Sequence, residues 1–307
     1  MILMSNILGG LWIFLVGATV GSFANVCIYR IPWQKSVIWP GSHCPRCLTA
    51  IRALDNIPIF GWIALRGRCR SCELPIASRY PLIELLTGLL FVAVYVAELI
   101  YPGRSLIETL DLLRVAYHLI LVALLVIATF IDYDYTILPD EITLPGMAAG
   151  LALGALVPQI RPAPGTMTTA LDGFLFGFYG LLIGGGLIWA IRILGRLVFR
   201  REAMGFGDVT LMAMIGSFLG WQILPPTLFL AAFLGLIHAL LKVLNAIQKW
   251  VTGRQLTGAD REIPFGPYLS MAALILMLGW TPIWTGWLSQ YYSSIGDAVR
   301  FLVRREF

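Results

Sequence analysis

The sequence predicts an all-α polytopic membrane protein with about eight transmembrane helices and one small extramembrane loop domain. Three observations lead there. The 307 residues are 58% apolar and only 13% charged, whereas a soluble domain carries about 25% charge, and the mean hydropathy is +0.81. Charge is absent from several runs near or above the length that crosses a bilayer. Four of the five cysteines fall in two close pairs inside the one long polar loop. These features exclude a soluble enzyme, a disordered chain and a secreted disulfide scaffold. The net charge of +5 does not call for a nucleic-acid partner, because the basic residues cluster in loops between apolar spans, as orientation signals do.

The spans are expected at about 7–29, 81–101, 112–131, 141–158, 171–191, 207–221, 225–243 and 264–288. The first has no basic leader and no small-residue cleavage site, so it is read as retained. The sixth and seventh come from one uncharged run, Val209 to Leu241, which Pro225 and Pro226 break. Small residues such as Gly184, Gly185 and Gly186 allow close helix contact. Orientation follows from the loops. Sixteen basic residues fall on one side of an eight-span path, eight of them in the loop 30–80, against six on the other. The richer side is therefore the cytoplasmic one, with the N-terminus outside. Arg300, Arg304 and Arg305 run against that count.

The loop 30–80 holds Cys44-Pro-Arg-Cys47 and Cys69-Arg-Ser-Cys72, with twenty-one residues between the pairs. Two such knuckles can close a tetrahedral zinc site, and four thiolates leave no open position, so Cys44, Cys47, Cys69 and Cys72 are expected to bind a structural zinc. A reducing cytoplasm argues against two disulfides. A metal would replace the core that so short a loop cannot build. Cys27 reads as a packing residue and His43 as an ordinary loop histidine.

Acidic residues within or beside spans are costly, and two sets stand out. The third span ends in Asp132-Tyr133-Asp134 and is followed by Leu138-Pro139-Asp140-Glu141. The sixth begins Gly205-Phe206-Gly207-Asp208. Both fall at the cytoplasmic edge, so two carboxylates from different helices can meet. Such a pair shares a proton, one member activating water while the other polarises a peptide carbonyl. The glycines beside Asp208 would let a peptide backbone approach. The bland alternative is a helix cap at Asp208 and solvated loop charges at Asp132, Asp134 and Asp140.

At this point five motifs in order resemble the bacterial type IV prepilin peptidases, which are leader peptidases and N-methyltransferases of the inner membrane. They are Gly21-Ser22-Phe23-Ala24-Asn25-Val26 with Arg30-Ile31-Pro32; the paired cysteines followed by Arg79-Tyr80-Pro81-Leu82-Ile83-Glu84-Leu85-Leu86-Thr87-Gly88; Asp132 through Asp140; Gly205-Phe206-Gly207-Asp208-Val209; and Ile263-Pro264-Phe265-Gly266-Pro267-Tyr268. The resemblance implies catalytic aspartates at Asp208 and Asp132, with Asp134 the alternative to the latter. It implies cleavage after a glycine that ends a short basic leader of a prepilin or pseudopilin, then methylation of the new N-terminus from S-adenosylmethionine. By that reading 1–29 is the first transmembrane helix, 30–80 the cytoplasmic zinc-binding domain of the four paired cysteines, and 81–307 the transmembrane aspartyl peptidase domain.

The methyltransferase half rests on resemblance alone, because no Gly-rich strand-turn-helix pattern is present. Asn25, Glu84 and the zinc loop are its candidates, set against structural roles as a buried amide, a helix-start charge and a lid. His118 and His238 are expected to pack or to bond between helices. Two other functions compete: a proton-coupled transporter, which would need acids at mid-membrane and repeated halves, and a non-catalytic zinc-loop scaffold of a secretion machine.

Overall fold

The computed structural model describes residues 2–104, 108–160, 168–200, 204–252, 264–279 and 294. The described residues form helices α1 (Ile2–Arg30), α2 (Phe60–Ala64), α3 (Arg79–Tyr95), α4 (Thr109–Tyr135), α5 (Asp140–Leu156), α6 (Ala170–Phe199), α7 (Phe206–Leu219), α8 (Leu224–Val251) and α9 (Gly266–Leu278). A π-helical turn, Val96–Ile100, extends α3. Helix therefore lies at each of the eight expected positions. Arg161, Arg201, Arg254, Arg261, Arg300, Arg304, Arg305 and the end of the eighth expected span lie outside the described residues.

Five segments are long and apolar enough to cross a membrane: 6–33, 79–100, 109–135, 170–198 and 221–249. The other four helices, α2, α5, α7 and α9, are shorter. α7 has only 14 residues, about 21 Å of helix against a hydrocarbon core of about 30 Å. Every residue from Asp208 to Leu219 is nevertheless buried. An all-round apolar helix is what a protein interior requires, and α5, α6 and α9 supply that interior around it.

Two helix pairs are held by close backbone approach. In α1 and α3, a Cβ on Gly21 would stand 2.8 Å from Glu84 Cα, and one on Gly17 2.9 Å from Gly88 Cα. Between α6 and α7, Gly180 and Gly216 face one another so closely that a Cβ on either would meet the other's carbonyl oxygen, and a Cβ on Gly184 would stand 2.5 Å from Met212 O. Without water to drive association, such contact and the dispersion it gives are what hold membrane helices together. α4 lies between the pairs, packing on α1, α3, α5 and α9. Its Tyr117 hydroxyl donates to Phe218 O (2.9 Å) and to Gly150 O (3.3 Å), joining three helices deep in the core.

Helix ends bring the site together. Thr136 closes α4 in the left-handed region, with its N–H on Asp132 O (2.8 Å), and Pro139 opens α5 only four residues after Tyr135. α7 runs from Gly205 to Gly220, whose φ of +80° ends the helix. The ring of Phe176 occupies the place where a Cβ on Gly220 would lie.

Candidate functional site

The loop between α1 and α3 builds one centre. Each cysteine pair sits on a tight knuckle, and the two are alike. Leu48 and Glu73 both take positive φ (59°), and their N–H groups donate to Cys44 O and Cys69 O at 2.9 Å. Cys44 N–H donates to Thr49 O and Cys69 N–H to Leu74 O, while isolated bridges pair His43 with Ala50 and Arg68 with Pro75. The four sulfurs lie within 4.8 Å of one another, with Cys44–Cys72 and Cys47–Cys69 at 3.9 Å. Tetrahedral zinc with Zn–S near 2.3 Å sets sulfurs about 3.8 Å apart, so the donor set fits that ion. The Thr49 hydroxyl and backbone hold Cys47 down at about 6. Against the pull of the Leu74 backbone, desolvation and the neighbouring thiols push Cys72 up to about 11. The four sulfurs could hold one cation between them, and four protein ligands would leave no position open on it.

Polar contacts fold the loop on itself and then pin it to the helices. Arg70 makes a two-toothed bridge to Asp55 (2.7 and 2.5 Å), and Trp62 Nε1 donates to Ile76 O (3.1 Å). Ile59 adopts φ +64°, ψ −54°, a strained tight turn for a β-branched residue. Its N–H donates to buried Glu84 at 2.7 Å. Glu84 is thus an anchor for the loop and not a free helix-start charge. The Asn25 amide donates to Tyr80 O (3.1 Å), tying α1 to the start of α3. Cys27 is buried and free, as a packing residue should be.

The second centre lies at the same end of the bundle. Arg79, first residue of α3, pairs with Asp134 near the end of α4 (2.5 Å), and the Trp33 and Tyr135 rings meet edge-on at 6.1 Å. Beside this seam Asp132 and Asp208 are both buried, 6% and 7% exposed. Asp132 Oδ2 accepts the Gly266 N–H at 2.9 Å. Asp208, third residue of α7, interacts with the backbone N–H of Gly205 and lies within the electrostatic reach of Asp132. Leu138 is the joint between them. A Cβ on Gly207 would stand 2.6 Å from Leu138 Cβ, and one on Gly266 would stand 3.3 Å from Leu138 Cδ1 and 2.6 Å from Asp132 Oδ2. The starts of α5, α7 and α9 therefore close on the end of α4, and no cation pairs with either carboxylate among the described residues.

Asp134, two residues along α4, is committed to Arg79. Asp140 and Glu141 open α5 on the exposed surface. The two histidines bond between helices: His238 Nδ1 lies 2.6 Å from the Tyr268 hydroxyl, and His118 Nδ1 lies 3.1 Å from Glu98 Oε1. The residues that a reading of charge and spacing overlooks are the Gly266 N–H, Leu138 and the cluster around His118. The proline-glycine-proline run at 264–267 is the one available signal for the first.

Two family models match in tandem: the bacterial peptidase A24 N-terminal domain over residues 15–97, and the type IV leader peptidase family over residues 119–240. A prepilin leader peptidase/N-methyltransferase of Myxococcus xanthus is 40% identical over 233 residues, 76% of this chain and 63% of that protein. One from Aeromonas hydrophila is 37% identical over 303 residues, covering 90% of this chain and 92% of the relative. A type 4 prepilin-like proteins leader peptide-processing enzyme of Escherichia coli is 35% identical over 276 residues, 84% and 89% of the two chains. No solved structure matches. With the N-terminal and peptidase models falling on the half with the four-cysteine loop and the half with Asp132 and Asp208 in turn, and with relatives aligned along nearly its whole length, the chain belongs to the type IV leader peptidase family.

Proposed function

We propose that the chain is a membrane-embedded aspartic endopeptidase that removes the leader of prepilins and pseudopilins, with Asp132 and Asp208 as its catalytic carboxylates. Prepilin processing is what its relatives are named for, and the family adds the substrate class. The observation that carries the two-aspartate reading is the convergence at Leu138: two buried acids from two helices, uncompensated by any described cation, with Gly207 and Gly266 packed close against Leu138 and Asp132.

The chemistry follows from the pair. Two acids this deeply buried, in each other's field, hold one proton between them. The ionised member takes a proton from water as the water oxygen bonds the scissile carbonyl carbon. The protonated member gives its proton to the carbonyl oxygen. As the tetrahedral species collapses the C–N bond breaks, and the departing amine takes the proton the base had received. The Gly266 N–H orients Asp132 throughout. Glycine at 207 and 266 lets Leu138 and Asp132 pack directly against the starts of α7 and α9, which sets the two acids in place.

The chain is a multi-pass protein of the bacterial inner membrane, and the loop 30–80 together with both aspartates is assigned to the cytoplasmic face, on the sixteen-to-six basic count. In this reading 30–80 is a zinc-stabilised domain between the first helix and the peptidase helices. Methyl transfer from S-adenosylmethionine to the new N-terminus is assigned on the relatives' names alone. Asn25 and Glu84 each hold a backbone partner through one atom, and no methyl-transfer step is routed through them here. A transporter is disfavoured because the acids sit at one edge with no repeated half. A scaffold leaves the paired aspartates without a purpose.

The test is incubation of the purified protein in liposomes with a prepilin, read by mass spectrometry. Loss of the leader mass, absent in Asp208→Asn, supports the reading. An uncleaved prepilin with wild-type protein ends it. A further gain of one methyl group's mass with S-adenosylmethionine supports the methyl step.

A further inference from the structure

Six serine and threonine side chains are buried among the described residues: Thr87, Thr143, Thr210, Ser217, Thr227 and Ser270. Four of them donate their hydroxyls to a backbone carbonyl three or four residues back, at 2.7–3.0 Å. That is the usual solution for a hydroxyl in an apolar helix. Thr143 and Ser270, 0% and 1% exposed, have no protein partner for their oxygens. For Thr143 the carbonyl four residues back is Pro139 O, which already accepts both Ile142 N–H and Thr143 N–H.

Each hydroxyl lies on a helix that packs on both α4 and α7, the helices that carry the two acids. Ser270 stands four residues after Gly266, on the same face of α9 and about 6 Å deeper. Gly266 is the residue that touches Asp132. Thr143 lies three residues before Gly146 and seven before Gly150, whose missing Cβ atoms face Met214 and Ser217 of α7. That face of α5 points at α7, and Thr143 falls on it between the level of Leu138–Gly207 and that of Gly146–Met214. Asp208 belongs to the same interval on α7. One hydroxyl on α5 and one on α9 thus lie about a turn beneath the carboxylates, on the two helices that flank them.

A buried hydroxyl without a protein partner is costly unless water satisfies it. We propose that Thr143 and Ser270 are positioning residues that hold water beneath Asp132 and Asp208, forming a polar floor in an otherwise apolar bundle. This rests on the peptidase reading. Through that water the hydroxyls keep the hydrolytic molecule between the two acids while the bilayer excludes bulk solvent. Neither hydroxyl touches the peptide. Their removal should therefore slow the chemical step and leave substrate binding alone.

The experiment measures prepilin cleavage by the full-length protein in liposomes for Thr143→Val, Ser270→Ala, Thr143→Ser and Asp208→Asn, with thermal stability of each. Thr143→Val and Ser270→Ala are each expected to lower kcat about tenfold with KM within about twofold, since a misplaced reactant costs rate and not affinity. Thr143→Ser is expected to restore the rate. A wild-type rate in both Thr143→Val and Ser270→Ala, with stability equal or raised, would overturn the proposal while leaving the peptidase intact. So would a Thr143→Ser protein as slow as Thr143→Val, because the methyl group and not the hydroxyl would then matter. If wild type and Asp208→Asn are equally unable to cleave, the peptidase reading falls and the floor falls with it.

Discussion

Helix α4 carries a buried aspartate at each end. Asp111 is 5% exposed and Asp132 is 6% exposed, about 31 Å apart along the helix. Burial is equal, but their surroundings are opposite. Asp111 accepts from Arg114 at 2.7 Å and lies 3.9 Å from Arg104. Arg104 also approaches Glu98 (3.5 Å), Glu98 approaches His118 (3.1 Å), and Arg114 donates on to Gln159 O (2.9 Å). Asp132 has a backbone N–H and a second carboxylate instead. An acid surrounded by cations is neutralised and holds helices together. An acid facing another acid keeps a proton to exchange. On the proposed peptidase reading, the sign of the neighbouring groups, and not burial, separates the reactive end of α4 from the structural one.

The largest effect should come from breaking the uncompensated end. Asp132→Asn and Asp208→Asn each remove the shared proton, so each is expected to cut prepilin cleavage by at least about a thousandfold while the chain still inserts and holds its metal. The double variant should be scarcely worse than either single one, because residues acting as a unit are not additive. A folded Asp208→Asn protein that cleaves at near the normal rate would erase the distinction between the two ends.

Next comes the zinc loop, which lies at the same end but outside the helices. Elemental analysis should find about one zinc per chain, and Cys44→Ser or Cys72→Ser should lose it. Apart from the Trp62 and Ile59 contacts, the loop offers little apolar burial: Ile38, Trp39, Leu48 and Leu54 are all exposed, the last at 78%. Chelation should therefore open 30–80 to protease while α3 to α9 stay protected. A metal-free loop that remained protease-resistant under reducing conditions would show that the knuckles fold unaided.

Much of this was legible in the sequence for simple reasons. Helices forced by uncharged runs were found because lipid and protein interior exclude charge alike. That same likeness hid the nature of α7: Val209 to Leu219 reads as a span, yet protein surrounds it, and hydropathy cannot tell a lipid neighbour from Met212 packed on Gly184. The cysteine quartet was visible because each knuckle is local, four residues long. The network at the far end was not, since Arg104, Asp111 and Arg114 acquire their roles only when the start of α4 lies beside a π-helical turn that no spacing announces. Leu138 was equally hidden, an ordinary leucine until three helix starts close upon it.

The compensated end should answer to stability and not to rate. Asp111→Asn leaves Arg104 and Arg114 short of a counter-charge but keeps the shape, so it is expected to cost about 2 kcal/mol, the scale of a hydrogen bond to a charged group. Cleavage at permissive temperature should stay within about twofold of normal. If Asp111→Asn lost cleavage as completely as Asp132→Asn while remaining folded, the far network would belong to the reaction, and the contrast drawn along α4 would be wrong.

The smallest effect is expected at Asp134, and it tests the comparison most finely, because Asp134 shares the end of α4 with Asp132 and differs only in company. Its partner Arg79 is 40% exposed and also rests 5.3 Å over the Phe130 ring. A half-exposed ion pair contributes about 0.5 kcal/mol. Asp134→Asn can still accept from the guanidinium, and Phe130 still holds it, so melting should fall by about a degree. Cleavage should remain within about threefold, since two residues along a helix face different directions and nothing ties Asp134 to Gly266 or Leu138. Cleavage abolished in Asp134→Asn and retained in Asp132→Asn would keep a two-aspartate mechanism but move its first acid to the residue now paired with arginine. Counter-charge would then no longer separate a structural carboxylate from a reactive one in this bundle.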